Sequence, residues 1–212
     1  TEQSFGYEDS SLRGLDLSGG FTLAGKIDRV DACGEYRRVV DYKTGAFDAK
    51  AAPYYTGRKL QLELYLAAAS QGAKPSGAYY FPAQVGYHAA DESPFRMQGY
   101  TLDTDENILR SDTALQEGQK SRFIEASYRA KGRKSGKLMG EDAFRSFLGY
   151  SLLVARQGIS EAADGCIAAS PYEGACEYCP YGSLCGFEGE AREEKKVTEA
   201  EIVRIVMRRE EQ

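Results

Sequence analysis

Two aspartates and a lysine carry the first chemical signal in this sequence. Asp28 lies in Gly25-Lys-Ile-Asp-Arg, and thirteen positions further on Asp41-Tyr42-Lys43 is followed by Thr-Gly. If both segments are strands, Asp41 and Lys43 project from one face, about 7 Å apart at their Cα atoms. A hairpin tip near Cys33 would set Asp28 opposite residues 38–39, with Asp41 as its diagonal neighbour. Two carboxylates so close repel unless a divalent cation lies between them or one takes up a proton. Hard oxygen ligands of this kind suit Mg²⁺ or Mn²⁺, which keep several waters. A metal-bound water beside an ammonium is a workable arrangement for cleaving a phosphodiester. Taken alone, two unrelated strand acids and a solvated lysine would read the same.

The elements that must position these groups follow from periodicity. Phe21, Leu23 and Ile27 alternate with small or polar residues, which predicts a strand from Phe21 to Val30. Residues 31–35, with Gly34, form a turn, and Tyr36–Lys43 a second strand, giving an antiparallel hairpin. A helix is expected from Thr56 to Gln71, closed by Gly72 and Pro75, with Gln61 and Tyr65 four apart on one face. Strands are expected at Ala78–Pro82 and Gln98–Leu102, and helices over 105–128 and 141–163. Thr198 and Glu201 are spaced as a capping box opening a last helix, assigned to 197–212. Residues 1–14 show no convincing period. The order predicts an α/β fold, a mixed central sheet flanked by helices.

Composition narrows the class. The 212 residues are 42% hydrophobic and 28% charged, a globular balance. No apolar run approaches a membrane span. The net charge of −5 disfavours a purely electrostatic nucleic-acid coat. Yet residues 120–137 hold seven lysines and arginines against Glu125 alone, and Arg129, Lys131, Arg133 and Lys134 there are candidate DNA-backbone contacts. A solvated connector would look similar. Tyr54, Tyr55, Tyr79, Tyr80 and Phe81 are candidates either for stacking on unpaired bases or for the core. Five cysteines, with Cys176, Cys179 and Cys185 spaced C-x₂-C-x₅-C, suit metal or cluster ligation in a reducing, cytoplasmic setting better than disulfides.

Together, Gly-Lys-Ile-Asp28-Arg, Val-Val-Asp41-Tyr-Lys43-Thr-Gly and Gln61-Leu-Glu-Leu-Tyr65-Leu resemble the PD-(D/E)xK nuclease superfamily, specifically its RecB-like branch. The resemblance implies a restriction-endonuclease-like core. It implies that Asp28, Asp41 and the main-chain carbonyl of Tyr42 bind the catalytic metal, that Lys43 assists the attacking water, and that Gln61 and Tyr65 line the site. The cysteine trio is similar to that of AddB-type nuclease domains and of a CRISPR-associated exonuclease family. There an upstream fourth cysteine completes a [4Fe–4S] cluster that pins the tail, here 166–187, to the domain's beginning.

No cysteine precedes Cys33, and the chain starts at Thr1 without Met. The resemblance therefore implies one nuclease domain over 1–212 that lacks the family's first helix and its added His or Glu ligand. His88, the sole histidine, does not match that ligand. Weak metal binding and an unstable cluster are expected of this stretch alone, unless Cys33 or Cys166 substitutes. The implied activity is metal-dependent deoxyribonuclease action on a single strand, in double-strand-break repair beside an AddA-type helicase subunit, since no phosphate-binding Gly-rich Lys-Ser/Thr loop occurs. A stand-alone CRISPR-associated or viral exonuclease, and a catalytically silent DNA-binding module, are the alternatives.

Overall fold

The structure, a computed structural model, describes residues 2–45, 47, 49–83, 95–128, 137–193 and 195–210. Nine strands run β1 (Gln3–Phe5), β2 (Leu15–Asp16), β3 (Thr22–Leu23), β4 (Gly25–Ile27), β5 (Arg29–Cys33), β6 (Tyr36–Lys43), β7 (Lys74–Pro82), β8 (Gln98–Leu102) and β9 (Lys137–Met139) among the described residues. The helices there are α1 (Ala51–Tyr55), α2 (Gln61–Ala69), α3 (Asp105–Ser111), α4 (Glu141–Ala163), α5 (Gly182–Cys185) and α6 (Glu199–Glu210). The central sheet has the order β5-β6-β7-β8-β9, with antiparallel, parallel, antiparallel and parallel neighbours. Two short antiparallel pairs, β1 with β4 and β2 with β3, stand before it.

Alternation along the strands gives the sheet two buried faces. Val39, Ala78 and Tyr100 pack with Leu62 and Leu66 of α2, Phe144 and Phe147 of α4, and Ile202 of α6. Val40 and Tyr79 turn the other way, onto Ile108 of α3 and onto Leu115 and Ile124. The helix α4 has the predicted bounds. The capping box that opens α6 is formed: Glu201 N donates to Thr198 Oγ1, and Thr198 N donates to Glu201 Oε2 at 2.8 Å.

Four expectations are corrected. The strand predicted over residues 21–30 is three short ones, interrupted at Ala24 and Asp28 as the chain passes from pairing with β1 to pairing with β6. The helix predicted from Thr56 begins at Gln61, because Gly57 takes φ +78° and ends a separate helical turn, α1. Pro75 does not stop that helix; it lies inside β7, where Ser76 is bulged out between the pairs Arg37↔Pro75 and Arg38↔Gly77. Residues 105–128 are helical only to Ser111. Beyond it the buried Asp112 carboxylate accepts from Ser121 Oγ at 3.0 Å and Arg122 N at 3.1 Å, and side-chain bonds of this kind replace the helical ladder. Residues 1–14 also contribute a strand, β1, and a core residue, Phe5, which is 1% exposed.

Glu63 is buried on α2 at 3% exposure, and burial pushes its carboxyl up to about 8. Its folded value lies above the unfolded one, so the folded chain holds a proton that the unfolded chain releases. Stability therefore falls as pH rises from about 4.5 to about 8, and the full penalty applies above that window. Glu63→Gln is expected to gain little at pH 5 and to be more stable by several kcal/mol (order of magnitude) at pH 9. Thermal melts of both proteins at the two pH values check this; equal differences at the two would refute it.

Candidate active site

The turn between β5 and β6 is only Gly34-Glu35, with Gly34 at φ +57°, and Cys33 pairs with Tyr36. This corrects the predicted five-residue turn and moves the register: the ladder ends at Arg29 with Val40, and that register, continued one step to the bend at Asp28, sets Asp28 across from Asp41 rather than diagonal to it. Asp28 is fastened there by the Tyr42 main-chain N–H, which donates to its Oδ2 at 2.9 Å. The two acids therefore meet at the junction of β4 and β5 with the end of β6.

Asp41, Lys43, Gln61 and Tyr65 form one continuous chain. Lys43 Nζ is 2.5 Å from Asp41 Oδ2, donates to Gln61 Oε1 at 3.1 Å, and lies 5.3 Å from the centre of the Tyr80 ring. Gln61 Nε2 donates to the Tyr65 hydroxyl at 3.3 Å. The crossover from β6 to β7 runs through α2, and it brings the first turns of α2 back over the end of β6. Asp41 is 3% exposed, and burial raises its carboxyl above the ordinary range; Lys43 opposes that rise and the Asp28 charge adds to it.

Asp41 Oδ2 is buried, and the Lys43 ammonium 2.5 Å away is its charged partner. A buried carboxylate with the charge of a second carboxylate close by supplies hard oxygens that fit a divalent cation. Among the described residues no three His, Cys, Asp or Glu side chains are gathered as a ligand set. An ion held there by two acids would need water to complete its shell.

Two contributors carry no sequence signal. Phe5 packs edge-on against Tyr65 with ring centres 6.0 Å apart, and Gly25 leaves room for it, since a Cβ there would lie 2.9 Å from the Phe5 ring. Arg58, with Lys59, Phe47 and Tyr80, walls a cleft of about 460 Å³ that opens beside Lys43 and Gln61. Neither belongs to a motif; only tertiary packing brings them to the site.

Tyr54, Tyr79 and Tyr80 are core side chains, at 1%, 1% and 7% exposure, so they offer no open face to a base; Tyr55 and Phe81 are half-buried. Cys33, Cys166, Cys176, Cys179 and Cys185 are all exposed free thiols, and the trio is not gathered as a ligand set among the described residues. Neither Cys33 nor Cys166 joins it there, so the cluster expectation rests on the resemblance alone. Arg129, Lys131, Arg133, Lys134 and His88 lie outside the described residues.

A family profile of the PD-(D/E)XK nuclease superfamily matches residues 1–186, and the chain belongs to that superfamily. Curated relatives named as ATP-dependent helicase/deoxyribonuclease subunits of the AddB kind are similar to it. The protein of Desulforudis audaxviator is 29% identical, with 82% of this chain covering 17% of that protein. That of Symbiobacterium thermophilum is 30% identical, with 88% of this chain covering 19% of the relative. That of Caldanaerobacter subterraneus is 32% identical, with 78% covering 17%. The chain thus spans under a fifth of the length of these relatives.

Proposed function

We propose that this chain is the nuclease domain of a helicase–nuclease subunit, hydrolysing DNA phosphodiesters with Mg²⁺ or Mn²⁺. The observation that supports it most is the uninterrupted chain from Asp41 through Lys43 and Gln61 to Tyr65, with Asp28 across the strand. Asp28, Asp41 and the Tyr42 carbonyl are the ion's ligands. When bound, the ion supplies a low-pKa water and draws charge from the phosphoryl oxygens. Lys43, held between Asp41 and Gln61, presents an ammonium to the phosphate and orients the attacking water. Gln61 fixes the lysine, and Tyr65, braced by Phe5, fixes Gln61. The relatives' shared name supports a helicase partner of AddA type and a DNA substrate; a single strand delivered by that motor, exonucleolytic cutting, work at double-strand breaks and a cytoplasmic setting belong to the same reading. Among the described residues no helix is long and apolar enough to cross a membrane.

The test is cleavage of a single-stranded oligonucleotide with and without the metal. Activity should appear with Mg²⁺ or Mn²⁺, vanish in EDTA, and fall roughly 10²-fold or more in Lys43→Ala, assayed well below that variant's melting temperature, which should drop as Asp41 loses the charge opposing its burial. Metal-independent cleavage, or a Lys43→Ala variant as fast as the parent, would exclude this mechanism.

A further inference from the structure

Resting on the nuclease reading, we propose that Arg58 binds a substrate phosphate next to the scissile one and that Tyr172 is its positioning residue. The cleft beside Lys43 gathers three cations, Lys43, Arg58 and Lys59, in a chain of net charge −5, while the Phe47 and Tyr80 rings form its apolar wall. That combination suits a nucleotide, whose phosphate meets the cations and whose base rests against the half-buried Phe47 ring.

The backbone at Arg58 is fixed: the N–H groups of Arg58 and Lys59 both donate to Pro53 O, at 2.9 and 3.1 Å. The side chain beyond it is long and exposed, and a loose arginine gives up rotamer freedom on gripping a phosphate. Here the guanidinium carbon lies 5.5 Å from the centre of the Tyr172 ring. A guanidinium held beside a ring has less of that freedom left to lose when its N–H groups turn to a phosphate.

Tyr172 is itself anchored, from a part of the chain remote in sequence. Arg192 N donates to Pro171 O at 2.8 Å, and Glu173 N donates to Arg192 O at 2.9 Å. The Arg192 guanidinium donates to Ser170 O at 2.7 and 3.1 Å and lies 4.2 Å from the same ring. The ring is thus held by a short bridge between 170–173 and Arg192, and it holds Arg58 at the cleft in turn.

Fluorescence anisotropy of a labelled oligothymidylate, in EDTA at low salt, tests this on the whole chain. Arg58→Ala should weaken binding about tenfold and lower the salt dependence by about one counterion. Tyr172→Ala and Tyr172→Leu should each weaken it roughly threefold to fivefold, and Tyr172→Phe should bind as the parent does. In the Arg58→Ala background Tyr172→Ala should cost nothing further. With Mg²⁺, the loss should fall on KM with kcat held within about twofold. Parent-like binding by Tyr172→Ala, restoration by Leu as well as Phe, or full additivity with Arg58→Ala would each overturn the proposal. A parent chain that binds DNA but cleaves none under any divalent ion would count against the nuclease reading instead, and the binding arm would still decide the role of Tyr172.

Discussion

Replacing Asp41 with Asn is expected to lower cleavage by roughly 10³-fold or more while leaving the melting temperature at pH 7 unchanged or higher. The two effects share one cause. Asp41 is buried and its carboxyl is raised by that burial, with the Asp28 charge adding to the rise. An acid raised in the folded state loses stability as pH climbs past its unfolded value of 3.8, so at neutral pH its charge is a standing cost. Asn keeps the shape and removes that cost, although Lys43 then loses its ion-pair partner. Below about pH 3.8, where the parent carboxyl is protonated in both states, the stability gain should disappear. Cleavage assays paired with melts at pH 3.5 and 7 measure both halves. An Asn variant that cleaves at the parental rate would show that the acid is not part of the chemistry; one that melts far lower would show that it is structural. A charge kept at the expense of stability is expected at a working site and not in a scaffold.

The second large effect is on folding. Gly99 lies on β8 directly across from Tyr79 on β7. A Cβ at that position would sit 2.0 Å from Ala78 O and 2.9 Å from Tyr79 Cα. These are backbone atoms of a strand flanked on both sides, whose Ala78 and Tyr79 are at 0% and 1% exposure, so neither strand can yield. Gly99→Ala is expected to destabilise the chain by about 3 kcal/mol or more, read as a lowered urea midpoint. An unchanged midpoint would mean that β7 and β8 do not approach as described.

The candidate site was largely readable in the sequence because its parts are local. Strand alternation alone places Asp41 and Lys43 on one face, and helical spacing alone pairs Gln61 with Tyr65. The hairpin could be inferred as well, but its register could not. That depended on whether Gly34 sat in a five-residue turn or a two-residue one, and sequence periodicity does not distinguish them. Long elements were legible for the same reason: α4 repeats its apolar face over many turns, and α6 announces its own start with Thr198 and Glu201. Short or side-chain-directed elements were not. The helix α1 has five residues, too few to show a period, and residues 112–128 look amphipathic but are organised by Asp112 and Ser121. Pro75 reads as a stop signal, and only the bulge at Ser76 lets β7 absorb it. Phe5 and Arg58 matter through what they touch, which no single-chain pattern records.

The Gly34-Glu35 turn carries a consequence for how this fold tolerates change. Because Cys33 and Tyr36 close the hairpin directly, the turn works as a ruler for everything beyond it. Lengthening it by one residue would slide β5 along β6 and set a different side chain across from Asp28, with every atom of the chemistry still encoded. Only an addition looped out whole, or one matched by a loss further along β5, keeps the two acids facing each other. A length change at this exposed loop, remote from the cleft, would therefore be read as a defect of the reaction and not of the loop.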